Sequence, residues 1–440
     1  MRRRFFLLYF FLHNLSLNNA PPEIINMNAV SILLLIIASI GFLSIITEDL
    51  IKINKAKSTL FWGTLAWIVY FISSSFSGHA DTASDALNEN LLDIATLWLF
   101  LFSAMTFVAY LSEKGVIEII ASYLLPKNLS AKSLLFFIGA FSFMFSSLAD
   151  NITATLVCLT ILLGLNINKE NLIRYAVVVV YGVNAGGVSL ITGDVTTLMI
   201  FLAGKISISD LLLLILPSLI SVFILCILMS YGMKGEIKVS AKKHTLAPVD
   251  IFIAVLFFCT IVGVIFGNVF FSIPPVLSFL FGLSLMFMVA RAVDRDEPVL
   301  DYVRKIEFDT LLFFLGVLLL VGILKEIGIL DMFLNAYQQA PTLMANYFVG
   351  ITSSLFDNVP LTSAILKSGV DMANTEWLAL TFSVGVGGAL LAIGSAAGVV
   401  AMSKIPELTF MRYLKFFPQL FIAYTSGYFL VVFFVQTMMQ

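Results

Sequence analysis

Long apolar runs dominate this sequence and constrain its fold more than any other feature. A helix of about 20 apolar residues crosses the roughly 30 Å hydrocarbon core of a bilayer. Sixty per cent of the 440 residues are hydrophobic and 12% are charged, which leaves too little charged surface for a soluble chain of this length. The sequence therefore predicts an all-α polytopic membrane protein. About ten crossings are expected, near residues 28–47, 59–76, 90–111, 173–203, 210–231, 250–270, 274–292, 308–326, 376–404 and 413–436.

Two further apolar stretches, 131–166 and 341–370, are polar in the middle, and their flanks are short for full spans. The first contains SSLADNITAT at Ser146–Thr155, and the second contains SSLFDNVPLTSA at Ser353–Ala364. We expect each stretch to form a re-entrant hairpin whose tip lies at mid-membrane.

Loop charge orients this arrangement, because cytoplasmic loops collect Lys and Arg. The predicted loop 48–58 has three Lys, whereas the predicted loop 77–90 has Asp and Glu but no Lys or Arg. The cationic loops all lie in the cytoplasm if the first hairpin enters from that side. The second hairpin then enters from the external face.

The predicted crossings form two units of the same order, each with two crossings, a hairpin, an interrupted helix and a last crossing. An odd number of crossings separates the units, so the two repeats are inverted in the membrane. Residues 1–26 are left out of the fold, as either a signal segment or an extension from a start codon upstream of Met27. A first span at 27–58 precedes the repeats. Repeat 1 covers 59–231, with hairpin 131–166 and interrupted helix 173–203. A linker with one span, 232–273, leads to repeat 2 at 274–436, with hairpin 341–370 and interrupted helix 376–404.

A glycine cluster follows each hairpin, at Gly182–Leu198 and Gly385–Val400, and aligning the two superposes Asp194 on Ser395. Such clusters either allow close helix packing or mark a helix that unwinds mid-span and frees its carbonyl oxygens. Unwinding is favoured by the polar residues beside the first cluster, which are Asn184, Asp194, Thr196 and Thr197.

Three acidic residues, Asp150, Asp194 and Asp357, lie well inside the apolar segments. A carboxylate at that depth is costly unless it is protonated, paired or hydrated, and no Lys or Arg lies at comparable depth in the same segments to pair with it. A site at which a proton and a cation compete for the same oxygen atoms is typical of a proton/cation exchanger. Carboxylate, amide, hydroxyl and backbone oxygens suit a small hard cation.

At these motifs the sequence resembles the sodium/proton antiporters of the NhaD type, in the ion transporter superfamily. The resemblance is carried by SSLADNITATL, NAGGVSLITGDVTTLMI, SSLFDNVPL and GSAAGVVAMSK, and it extends from about residue 28 to the C-terminus. It implies exchange of Na⁺ or Li⁺ for H⁺, two inverted repeats with hairpins and interrupted helices, and a homodimer. The cation-binding residues that it implies are Asp150, Asn151, Asn184, Asp194, Thr196, Thr197, Ser353, Asp357, Asn358 and Ser395.

The expected partners are therefore monovalent cations, protons and the lipid bilayer, with no bound cofactor, no nucleic acid and no enzymatic activity. We expect an integral protein of the bacterial inner membrane. A carrier of arsenite or another small oxyanion stays open, since such relatives share FDNVPL-like tips, although a third carboxylate in TGDVTT opposes an anion. A remote alternative is an intramembrane aspartyl protease, whose Tyr-Asp and Gly-x-Gly-Asp motifs do not match Asp150 and Asp194.

Overall fold

A computed structural model describes residues 28–46, 48, 53–116, 119, 128–165, 167–238, 247–293, 299–355 and 357–439. The predicted segment 1–26 lies outside these residues. The described chain is nearly all helical, and one short antiparallel ladder pairs β1 (Asn128–Ser130) with β2 (Glu236–Lys238).

The helices follow one another in chain order, with 3₁₀ turns at Leu212–Leu214 and Gly388–Leu390. They are α1 Ala29–Ile46, α2 Lys55–Phe76, α3 Ala80–Glu113, α4 Ala131–Leu148, α5 Asn151–Leu163, α6 Lys169–Gly187, α7 Val195–Leu202, α8 Ile208–Leu211, α9 Ile215–Ser230, α10 Pro248–Phe271, α11 Pro275–Val293, α12 Val299–Arg304, α13 Phe308–Glu326, α14 Asp331–Gln339, α15 Thr342–Ser353, α16 Asn358–Lys367, α17 Asn374–Gly387, α18 Ala396–Lys404, α19 Phe410–Leu414 and α20 Phe417–Met438.

Eight helical stretches among the described residues are long and apolar enough to cross a membrane. They are α2, α3, α4, α8 with α9, α10, α11, α13 and α20. The prediction of an all-α polytopic membrane protein is confirmed. The prediction that both flanks of 131–166 are short for full spans is wrong for α4, which is one of these eight stretches.

The predicted acidic loop 77–90 is also different in the structure. Helix α3 begins at Ala80, so the connection from α2 is only the turn Ser77–His79, in which Gly78 has a positive φ of 75°. Residues 80–113 contain neither Gly nor Pro, and many are good helix formers, so nothing stops the helix at the membrane boundary.

Helices α2 and α13 run side by side in the same direction. The Asn54 amide, next to the start of α2, donates to Asp309 near the start of α13 (2.7 Å), and the Trp67 indole donates to the Leu319 carbonyl (3.0 Å). Helix α3 runs the opposite way, since Lys325 near the end of α13 pairs with Glu89 near the start of α3 (2.9 Å).

The centre of the molecule is formed by α6 and α17, which are buried along most of their lengths. Helix α4 packs along α6, and α15 packs along α17. The ends of these four helices meet α5, α7, α16 and α18, so the short polar segments between them come together inside the protein.

Candidate functional site

The first helical break lies between Gly187, the last residue of α6, and Val195, the first residue of α7. Asp194 is the N-cap of α7, and its Oδ1 accepts a hydrogen bond from the Thr196 amide (3.1 Å). The side chain is buried, with Asp194 only 6% exposed. A short polar side chain before a helix is the usual N-cap, and a helix N-terminus stabilises a nearby anion.

The second break follows α17 and its 3₁₀ turn and ends at Ser395, the N-cap of α18. The Ser395 hydroxyl accepts a hydrogen bond from the Gly398 amide (3.3 Å). The two breaks thus have the same local construction, with a carboxylate at the first cap and a neutral hydroxyl at the second. The negative charge therefore lies on the first break alone.

Two hydrogen bonds join the two halves of the chain at these breaks. The Asn358 side chain, from the first turn of α16, donates to Asp194 Oδ2 (3.2 Å). The Asn184 side chain, from α6, donates to the Ser395 hydroxyl (3.2 Å). Both bonds are buried, so the polar cluster is assembled from segments far apart in sequence.

The two tip carboxylates cap the helices that follow them. Asp150 Oδ1 accepts hydrogen bonds from the amides of Ile152 and Thr153, both 3.0 Å, and Oδ2 accepts one from the Thr153 hydroxyl (2.6 Å). Asp357 Oδ1 accepts a hydrogen bond from the Val359 amide (3.2 Å). Each carboxylate therefore caps the helix of its own segment.

The amide of Asn151 fills the space between the first tip and the first break. Its hydrogen bonding is satisfied when the amide nitrogen is assigned to the side of the Val183 and Gly193 carbonyl oxygens, to which it then donates at 3.2 Å each. A Cβ atom at Gly187 would lie 2.7 Å from the Asn151 side chain and 3.1 Å from the Asp194 Cβ. Gly187 therefore allows Asn151 and Asp194 to approach each other.

Two other predicted residues contact backbone instead. The Ser353 hydroxyl donates to the Val384 carbonyl (2.8 Å), which fastens the end of α15 to α17. The Thr197 hydroxyl donates to the Gly187 carbonyl (3.4 Å) across the first break. Both contacts hold the segments around the cluster.

Two buried oxygen atoms of the cluster have no hydrogen-bond partner among the described residues. They are Asn184 Oδ1 and Thr196 Oγ1, and both residues are fully buried. Buried polar atoms in native proteins are almost always satisfied, so such a pair calls for a ligand or a water molecule. Together with Asp194 they form a set of hard oxygen donors.

Asp357 has a basic partner from outside its own apolar segment, which the prediction for the segments did not cover. Lys55 Nζ lies 3.4 Å from Asp357 Oδ2, and the side chains are 25% and 12% exposed. Lys55 is the first residue of α2, although 48–58 was predicted to be a loop. Because 302 residues separate the partners, no local sequence pattern indicates this contact.

Acidic groups continue from the first tip toward the start of α13. Partial desolvation, and then the negative charges of Asp150 and Asp309, raise the pKa of Glu307 above its ordinary value. The positive charge of Lys404 acts in the opposite direction, so acidic and basic groups are mixed at this end of α13.

Comparison with known proteins agrees with this chemistry. The family model described as "Citrate transporter" (CitMHS) matches residues 23–387. The Na(+)/H(+) antiporter NhaD of Vibrio cholerae is 31% identical over 89% of this chain and 89% of that protein. NhaD of Alkalimonas amylolytica is 30% identical over 93% and 92%, and sodium/proton antiporter 1 of Arabidopsis thaliana is 29% identical over 88% and 70%.

The predicted resemblance to NhaD-type proteins is confirmed by these matches, which cover most of the chain. The relatives are named as antiporters, which are transporters and not enzymes. Within the CitMHS family of membrane transporters, this chain belongs to the NhaD group.

Proposed function

We propose that this protein exchanges Na⁺ or Li⁺ for H⁺ across the membrane by alternating access. The observation that carries the proposal is Asp194, a buried carboxylate at a helical break that also accepts a hydrogen bond from Asn358 of the other half. The relatives named as Na(+)/H(+) antiporters support the exchange of Na⁺ for H⁺. A buried carboxylate binds either a proton or a metal cation, and this competition couples the two fluxes.

In this proposal the cation contacts Asp194 and the two unpartnered oxygens, Asn184 Oδ1 and Thr196 Oγ1. Asn358 and Ser395 add polar groups from the second half, and Asp357, the residue before Asn358, supplies a second carboxylate. Carboxylate, amide and hydroxyl oxygens are the ligands that hard cations prefer. The other predicted residues hold the tips and the breaks in position. They are Asp150, Asn151, Thr197 and Ser353.

Alternating access would use two inverted repeats, 59–231 and 274–436, each with a re-entrant hairpin. Matching contacts support this division. Gly186 abuts the Phe143 carbonyl in the first half, and Gly387 abuts the Gly350 carbonyl in the second. The first turns after the tips also match, since Thr155 and Thr362 each donate to the carbonyl four residues earlier. Two such halves around one site give two access states.

The proposal extends to assembly and location, where a homodimer in the bacterial inner membrane is expected.

A tricarboxylate such as citrate, which the family description names, is the main alternative substrate. The buried charge of Asp194 would repel an anion in the cluster, and the same argument applies to arsenite and other oxyanions. The acidic cluster therefore favours a cation.

The experiment is proton movement in everted vesicles that carry a stable ΔpH. Addition of Na⁺ or Li⁺ should dissipate the ΔpH, whereas addition of citrate should not. Asp194→Asn should lower this exchange by about a hundredfold, because it removes the buried charge that binds either ion, while Asp194→Glu retains part of it. Asp150→Asn should also lower the exchange. Absence of Na⁺- or Li⁺-dependent proton movement between about pH 6 and 9.5 would overturn the proposal.

The matched control is Asp85→Asn, an exposed carboxylate near the start of α3. This variant should exchange ions like the wild type. Glu89 is less suitable as a control because it forms an ion pair with Lys325 (2.9 Å).

A further inference from the structure

The two tip carboxylates differ in how their second oxygen is satisfied. At the first tip, Asp150 Oδ2 accepts a hydrogen bond from the hydroxyl of Thr153, three residues later (2.6 Å). The corresponding residue after Asp357 is Pro360, which has no hydroxyl to donate. Asp357 Oδ2 instead faces the ammonium group of Lys55 at 3.4 Å. The local sequence thus leaves Asp357 Oδ2 without a donor, and this oxygen forms an ion pair with the distant Lys55.

Lys55 is held in position by its own surroundings. Its ammonium lies 4.4 Å from the centre of the Phe313 ring on α13. The preceding residue, Asn54, caps α2 and donates to Asp309 (2.7 Å). The lysine therefore belongs to the α2–α13 pair, whereas Asp357 belongs to the tip before α16. The ion pair thus joins the α2–α13 pair to the tip before α16, a helix that also packs against α13.

We propose that Lys55 is the resident counter-ion of Asp357 and weakens the binding of the transported cation. This inference rests on the proposed function and adds a residue that sets affinity. With the ammonium in place, the charge of Asp357 is balanced, and one monovalent cation neutralises Asp194. Without the ammonium, two uncompensated carboxylates attract the cation in a medium of low dielectric constant.

A weaker site has a functional advantage in a carrier. A cation that is bound too tightly at two carboxylates would leave slowly, and turnover would then be limited by release. Lys55 acts as an internal competitor that lowers affinity and speeds release. Removal of its charge should therefore lower the apparent KM for Na⁺ and also lower the maximal rate. A residue that merely stabilises the fold would not produce this split.

The test uses the full-length protein in proteoliposomes at one alkaline pH, with Na⁺ as the probe. Lys55→Gln should lower the apparent KM by about tenfold, the scale expected for loss of a partly buried ionic contact. Lys55→Arg keeps the charge and should stay close to the wild type. Lys57→Gln is the matched control, since it removes the same charge from an exposed position on the same turn.

A second variant keeps the test decisive if Lys55→Gln folds poorly. Pro360→Thr supplies the hydroxyl that Thr153 provides at the first tip, which competes with Lys55 for Asp357. This variant should also lower the KM, by a smaller factor. In detergent, Na⁺ should raise the melting temperature of Lys55→Gln and Pro360→Thr at lower concentrations than in the wild type.

An unchanged or raised KM in folded Lys55→Gln, or in Pro360→Thr if Lys55→Gln does not fold, would overturn the inference. Failure of the proposed function gives a different result. In that case the wild-type protein itself shows neither Na⁺-dependent proton movement nor stabilisation by Na⁺.

Discussion

The Thr196 hydroxyl distinguishes a binding site from a purely structural cluster. It is buried and has no hydrogen-bond partner among the described residues, while the Thr196 amide donates to Asp194. We expect Thr196→Val to raise the apparent KM for Na⁺ by about tenfold, since one ligand oxygen is lost. Thr196→Ser keeps the oxygen and should remain near the wild type.

Thermal unfolding of the same two variants separates the explanations. Removal of an unsatisfied buried hydroxyl should leave the melting temperature of Thr196→Val unchanged or higher. A lower melting temperature together with an unchanged KM would show that the hydroxyl supports the fold and does not bind the ion.

Glu307 gives a pH-dependent contribution to stability. Its pKa is raised from 4.5 by desolvation and by the charges of Asp150 and Asp309. A carboxyl group whose pKa is higher in the folded than in the unfolded state contributes stability at pH values below its unfolded pKa. This contribution is lost as pH rises through the folded pKa. Glu307→Gln should therefore stabilise the protein at pH 8 but not near pH 4.5, by less than about 1 kcal/mol because the side chain is exposed.

The measurement is thermal unfolding of the wild type and of Glu307→Gln in detergent at both pH values. An equal gain at both values for Glu307→Gln would contradict the prediction.

Individual site residues could be predicted where the neighbouring sequence marks them. Asp150, Asp194 and Asp357 stand out because carboxylates are rare in apolar segments, and Thr196 lies beside one of them. Contacts between distant segments leave no such signal. The Asn358–Asp194 bond and the Lys55–Asp357 pair depend on how the helices pack, which no short motif specifies.

At the scale of helical elements, Gly187 controls how closely the first break packs. A Cβ at this position would lie 2.7 Å from the Asn151 side chain and 3.1 Å from the Asp194 Cβ, so one of them has to move. We expect Gly187→Ala to lower Na⁺-dependent exchange by about tenfold or more, because displaced ligands bind the cation poorly. Exchange in everted vesicles measures the effect.

Gly263 in α10 provides the matched control for this substitution. A Cβ there would meet no other atom within 4 Å. Gly263→Ala should exchange ions normally and gain stability of about 0.5–1 kcal/mol from helix propensity. Equal activity of the two alanine variants would show that the first break tolerates a side chain.

The ends of the elements were less predictable than their existence. Glycine clusters indicated two interruptions, and the structure has helix ends at Gly187 and Gly387. The apolar runs did not reveal that α2 begins at Lys55 or that α3 begins at Ala80. Hydropathy marks where lipid is favourable, whereas a helix continues into water until a cap or a helix breaker stops it.

For the whole molecule, alternating access predicts which parts move together. The Lys169–Glu407 pair (2.9 Å) joins the start of α6 to the segment after α18, so it lies between the two interrupted helices. The Lys367–Asp93 pair (3.8 Å) joins α16 to α3. If the tips and breaks move past α3 as one body, a cross-link at the first pair permits transport, and one at the second blocks it.

The test replaces each pair with cysteines in a Cys259→Ser background, since Cys259 is the exposed cysteine among the described residues. A short reducible thiol cross-linker should lower exchange by about tenfold or more at positions 367 and 93, as trapping removes one access state. Reduction should restore exchange. Full activity with both cross-links complete would argue against a moving core.

The length of α3 has a consequence for the membrane around the protein. Its 34 residues extend about 51 Å, whereas the hydrocarbon core is about 30 Å thick. Asp81, Asp85, Glu89 and Asp93 all lie in its first half, so the excess length projects from that side. A thicker bilayer draws this acidic segment toward the headgroups, and a thinner one exposes more of it, at a modest cost per ångström. The free energy of the folded carrier is thus linked to acyl-chain length through a single helix.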